Sequence, residues 1–154
     1  IEAFVKGAKE AGVDGVIVPD LPPEESAPLA DALTKQCLDL IYLLAPTSPL
    51  SRVRKIASMA RGFIYCVSVA GITGARGELP GGLEQFISRV RGETSLPLAV
   101  GFGVSTPGQV RTIGQYAEAV VMGSVFIDLL NRTSPDRYEQ ELQTFIAGFV
   151  ADGR

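Results

Sequence analysis

The chain has 154 residues, 46% of them hydrophobic, and a formal net charge of −3. That is enough apolar material for one domain with a real core and too much for disorder, and with no basic run longer than two residues a nucleic-acid partner is not expected. The sequence holds no His, which removes Ser-His-Asp chemistry, Cys-His chemistry and His-ligated metals.

Ile1 to Ala11 reads as a helix with Phe4, Val5 and Ala8 on one side and Gly12 as its stop. Val13 to Val18 is a short apolar strand ended by Pro19-Asp20. Pro22-Pro23 followed by Glu24-Glu25 has the composition of a helix start, and that helix is expected to run to about Gln36. Leu40 to Ala45 is the second strand, Ser51 to Ala60 a short helix, and Phe63 to Val67 the third strand. A Gly-rich loop from Ser68 to Gly82 precedes a helix over Leu83 to Arg91. Pro97 to Val100 is the fourth strand, ending in Gly101-Phe102-Gly103, and Thr106-Pro107 opens the next helix. Ala119 to Met122 is the fifth strand, ended by Gly123-Ser124, and helical stretches over Val125 to Asn131 and Pro135 to Val150 follow.

The strands are apolar on both faces and alternate with helices, which predicts a parallel sheet covered by helices. A doubly wound open sheet and a (β/α)8 barrel both fit. A full barrel needs about 250 residues, so five strands in residues 1–154, taken as a single domain, would be an incomplete TIM barrel of class α/β. Its first and fifth strands would be edges and invite association.

In either fold, function collects at the C-terminal ends of the strands. Gly101, Gly103 and Gly123-Ser124 end two consecutive strands that open into helices. Such an arrangement suits a phosphate, because glycine lets backbone N–H groups approach and a helix N-terminus favours an anion. Gly101-x-Gly103 is no dinucleotide fingerprint, since Thr106 stands where the third Gly would be. The Ser68–Gly82 loop exceeds the ~2–6 residues of an ordinary connection and reads as a lid, with Thr73 and Arg76 as polar contacts. Asp20 is the only acid at a strand end, and is either a general acid/base or a turn residue. Tyr65 is either a ring in the barrel mouth or a core aromatic.

Val18-Pro19-Asp20-Leu21-Pro22-Pro23-Glu24-Glu25-Ser26 resembles the segment after strand four of tryptophan synthase alpha subunits. Tyr65 to Arg76 is similar to their strand six and mobile loop six, and Val100 to Ser105 and Met122 to Ser124 to their strands seven and eight. The resemblance implies a (β/α)8 lyase of tryptophan biosynthesis that cleaves indole-3-glycerol phosphate to indole and glyceraldehyde 3-phosphate. It implies that Gly74, Gly103, Gly123 and Ser124 hold the phosphate, that Tyr65 and Phe102 flank the indole, and that Thr73 and Arg76 belong to the lid. Asp20 becomes an organiser at the rim facing the partner rather than a catalyst. The family's catalytic Glu and Asp are expected upstream of Ile1, so no catalytic residue is assigned in this chain. The implied partner is a pyridoxal-phosphate beta subunit in an alpha2beta2 complex. No cofactor and no metal is expected in this chain itself.

The start at Ile1, with Met59 the first Met, is expected to be a cut. The apolar stretches fall short of the ~20 residues of a membrane span and no signal peptide is visible, so a cytoplasmic protein with no membrane partner is expected. Cys37 and Cys66 are expected to be reduced and buried. Two alternatives stay open: another phosphate-binding barrel enzyme, or a non-catalytic phosphate-binding barrel that regulates a partner beta subunit.

Overall fold

The computed structural model describes residues 1–68, 81–101 and 103–151. Among them, β1 (Gly15–Ile17), β2 (Asp39–Leu44), β3 (Ile64–Val67), β4 (Leu98–Gly101) and β5 (Ala119–Val121) form one parallel sheet in the order β1-β2-β3-β4-β5. Helices α1 (Glu2–Glu10), α2 (Ala27–Lys35), α3 (Leu50–Met59), α4 (Leu83–Arg91), α5 (Pro107–Ile113), α6 (Ser124–Asn131) and α7 (Tyr138–Ala151) alternate with the strands and close the chain. A doubly wound sheet reverses its strand order at a switch point. Here every strand pairs with its neighbours in sequence, which is the order of a barrel wall. The molecule is therefore a half-barrel, and among the described residues β1 and β5 pair on one side only.

The period of two along each strand divides the sheet into two faces. Leu40, Tyr42, Leu44, Ile64, Cys66, Leu98 and Val100 pack with Leu33, Val53, Ile56, Ile87, Val90 and Ile113 of the helices into one buried cluster. Burying each such aliphatic side chain contributes roughly 1.5–3 kcal/mol. The alternate residues Ile17, Ile41, Leu43, Tyr65, Val67, Ala99, Gly101 and Val121 fall on the concave face, where Ile17 is 43% exposed. At the opposite end of β4 from the glycines, Glu118 joins three elements. Its carboxylate pairs with Arg91 at the end of α4 and accepts the N–H of Leu98 at 2.8 Å. Arg91 also donates to the carbonyl of Leu96 at 2.9 Å.

Two expectations need correction. The helix expected to start at Pro22-Pro23 begins at Ala27, and Pro28 supplies the proline of its first turn. Pro22 to Glu25 instead form a turn closed by the Glu25 N–H on the Pro22 carbonyl at 3.0 Å. Cys37 is exposed rather than buried, because it is the residue just past the end of α2, in the left-handed conformation (φ 55°). The N–H groups of Leu38 and Cys37 return to the carbonyls of Leu33 and Thr34, so this is a Schellman closure with a cysteine where glycine is usual. Cys66 is buried as expected, and α5 opens on the expected Thr106, whose side chain forms a capping box with Gln109.

Burial pushes the Cys66 thiol up to about 12 despite the favourable charge of Arg91. In native protein a thiol reagent should therefore label Cys37 quickly and Cys66 only as fast as the fold opens, as mass spectrometry of timed aliquots will read. Glu118 is held below its ordinary range, first by the Leu98 N–H and then by Arg91. A carboxyl depressed in the folded state stabilises it above the unfolded value and loses that contribution as pH falls through the folded value. The thermal midpoint should thus decline below about pH 4.3, and Glu118→Gln should flatten that acid limb in a melting series.

Candidate functional site

Because all the strands are parallel, their C-terminal ends share one rim. At that rim Tyr65 and Gly101 depend on each other. A Cβ on Gly101 would stand 2.0 Å from the Tyr65 hydroxyl oxygen and 2.6 Å from Cζ, so the phenol lies directly over the β4 backbone. Tyr65 is 8% exposed, and burial raises its pKa, so the phenol stays protonated and can donate a hydrogen bond. Ser68, buried at the end of β3, donates both its N–H and its hydroxyl to the Gly101 carbonyl, each at 2.7 Å. Sequence reasoning passed over Ser68. Its only signal was its position as the first polar residue after an apolar strand.

Gly103 follows in the left-handed conformation (φ 77°), where a side chain would be strained. On the neighbouring strand, Gly123 is the N-cap of α6, with no side-chain cap and, among the described residues, nothing within 4 Å of where its Cβ would stand. Ser124 is the first residue of that helix and is exposed. The positive end of α6 thus lies beside a serine hydroxyl, with no described side chain capping it.

Asp20 sits at the other side of the rim, exposed in the turn after β1. It lines a cleft of about 300 Å³ together with Tyr42, Leu43 and Arg52. Asp20 and Tyr65 are therefore both at strand ends but on non-adjacent strands. Thr73, Gly74, Arg76, Phe102 and most of the expected lid lie outside the described residues. No group of His, Cys, Asp and Glu suited to a metal occurs among the described residues, and none of their helices is long and apolar enough to cross a membrane.

A sequential parallel half-barrel whose strand ends share one rim defines the class: the (β/α)-barrel proteins. The family model for the tryptophan synthase alpha chain matches residues 1–151, and the chain belongs to that family. It is 44% identical over 146 residues to the tryptophan synthase alpha chain of Roseiflexus sp., covering 95% of this chain and 56% of that protein. The Geobacter sulfurreducens alpha chain is 42% identical over 147 residues, covering 96% and 56%. In structure, the chain is similar to a chain of the Pyrococcus furiosus tryptophan synthase a2b2 complex, with a TM-score of 0.88, 30% identity and coverage of 97% of this chain and 60% of that one. A Mycobacterium tuberculosis tryptophan synthase gives a TM-score of 0.84 at 29% identity, covering 99% and 55%. The chain thus spans little more than half the length of the relatives it matches.

The contact at Gly101 yields a direct test. Gly101→Ala should cost about 1–3 kcal/mol in chemical denaturation, because the ring must leave its place. Adding Tyr65→Val should recover most of that loss; a double variant no more stable than the single one would refute the steric account.

Proposed function

We propose that the rim formed by Gly103, Gly123 and Ser124 holds the phosphate of indole-3-glycerol phosphate, within a lyase that releases indole and glyceraldehyde 3-phosphate. The supporting observation is the N-terminus of α6, which no described side chain caps, which has no described neighbour within 4 Å of a Cβ at Gly123, and which is flanked by the Ser124 hydroxyl. Gly74, from the segment expected as a lid with Thr73 and Arg76, completes the phosphate contacts in this reading. Tyr65 and Phe102 flank the indole ring, and Asp20 organises the rim. In this reading residues 1–154 make up one unit, the C-terminal part of a TIM barrel, and their five sequential parallel strands support it.

The cleavage needs a proton delivered to indole C3, a proton taken from the glycerol hydroxyl, and support for the indoleninium charge. A phosphate grip supplies none of these, because it acts alike on substrate and transition state. Asp20 is the only acid at the described strand ends and lies across the rim from the phosphate site. The proton chemistry in this reading belongs to a Glu and an Asp of the barrel's earlier strands, and the 154 residues by themselves bind substrate without turning it over. The partner is a beta subunit carrying pyridoxal phosphate, in an alpha2beta2 complex in the cytoplasm. The family relationship to a Pyrococcus furiosus chain described in an a2b2 complex supports that partner.

The test joins this chain to whatever segment of the Roseiflexus alpha chain precedes the region it matches. The fusion should release indole from indole-3-glycerol phosphate, and the 154-residue chain alone should not exceed buffer. Ser124→Asp in the fusion should raise KM about tenfold or more by setting a carboxylate against the phosphate. A folded fusion without activity, or a Ser124→Asp variant with unchanged KM, would overturn the proposal.

A further inference from the structure

The turn that carries Asp20 is held by a buried pair of hydroxyls. Ser26 stands at the N-cap of α2, where a serine ordinarily accepts a hydrogen bond from the first helical turn, but its side chain makes no such cap. It is 0% exposed and donates to the Pro23 carbonyl at 3.0 Å. Its oxygen lies 2.7 Å from the Tyr42 hydroxyl, on the helix-facing side of β2. A serine has one hydroxyl proton, and Pro23 takes it, so Tyr42 is the donor in the pair. A second brace lies outside. Glu24 meets Lys55 at 3.1 Å and Arg52 at 3.6 Å from α3, but each of these groups is more than 40% exposed. Exposed ion pairs are weak, whereas a buried hydroxyl that loses its partner bears its full desolvation cost. The inner pair is the stronger constraint.

We infer that Ser26 and Tyr42 are positioning residues: their buried hydrogen bond fixes the Pro19–Glu25 turn on the edge of β2 and so sets where Asp20 stands on the rim. The inference rests on the proposed function for its catalytic consequence. Tyr42 and Asp20 line the same cleft, so a shift of Tyr42 against the turn moves the wall beside the carboxylate.

Hydrogen exchange tests the constraint in the chain itself. The amides of Glu25, Leu29 and Ala30 bond to the carbonyls of Pro22 and Ser26 and report on the turn. Ser26→Ala should speed their exchange about tenfold or more, with β3 and β4 amides unchanged. The double variant Ser26→Ala/Tyr42→Phe should lie closer to wild type than Ser26→Ala, because removing both hydroxyls leaves no orphaned donor. In the fusion described above, Ser26→Ala should lower kcat about fivefold with little change in KM, since the phosphate is held at the far strands. Uniformly faster exchange, no change at the three amides, a double variant worse than the single, or an unaltered kcat would each overturn the inference. Should the wild-type fusion release no indole, the proposed function fails while the exchange result still decides the role of the pair in holding the turn.

Discussion

The separation of the sheet into two faces underlies everything else in this molecule. The outward residues of β2, β3 and β4 carry the packing against the helices, and their burial is close to complete. The concave face lies outside that cluster, although Ile41, Tyr65 and Ala99 on it are buried as well. It can hold an exposed Ile17, a strand glycine at Gly101 and a tyrosine laid across it without undoing the fold. A shift of one residue in register would exchange the two sets, so the hydrophobic outward face also fixes which residues reach the rim.

Parallel pairing then does the rest of the placement. Every strand delivers its C-terminal end to the same rim, whatever the distance in sequence. Small residues end β4 and precede α6 there, the Tyr65 ring covers Gly101, and Ser68 ties β3 to β4. On the other side of the rim the turn after β1 is braced from β2 and α3.

Much of this was legible in the residues. Short apolar runs and helical patterns located each strand and helix to within a few positions, and Leu83–Arg91 was read to the residue. The start of α2 was not, because Pro22-Pro23-Glu24-Glu25 and Pro28 carry the same local signal for a first turn. The choice between them is made by the buried position of Ser26 against Tyr42. Cys37 was misjudged for a related reason. Cysteine is usually buried, but at a helix end the closing hydrogen bonds outrank the side chain's preference and turn it outward.

The sequence alone determined the alternation of helix and strand, the parallel class and the strand ends at which chemistry belongs, since these follow from local periodicity and from glycine's lack of a side chain. Only the tertiary structure decided between barrel wall and doubly wound sheet, because strand order is a property of pairing between distant segments. It alone revealed the Tyr65–Gly101 contact, the Ser68 staple and the Ser26–Tyr42 pair. Each joins residues that no local pattern relates, and each exists because a buried polar group must find a partner or a ring must find room.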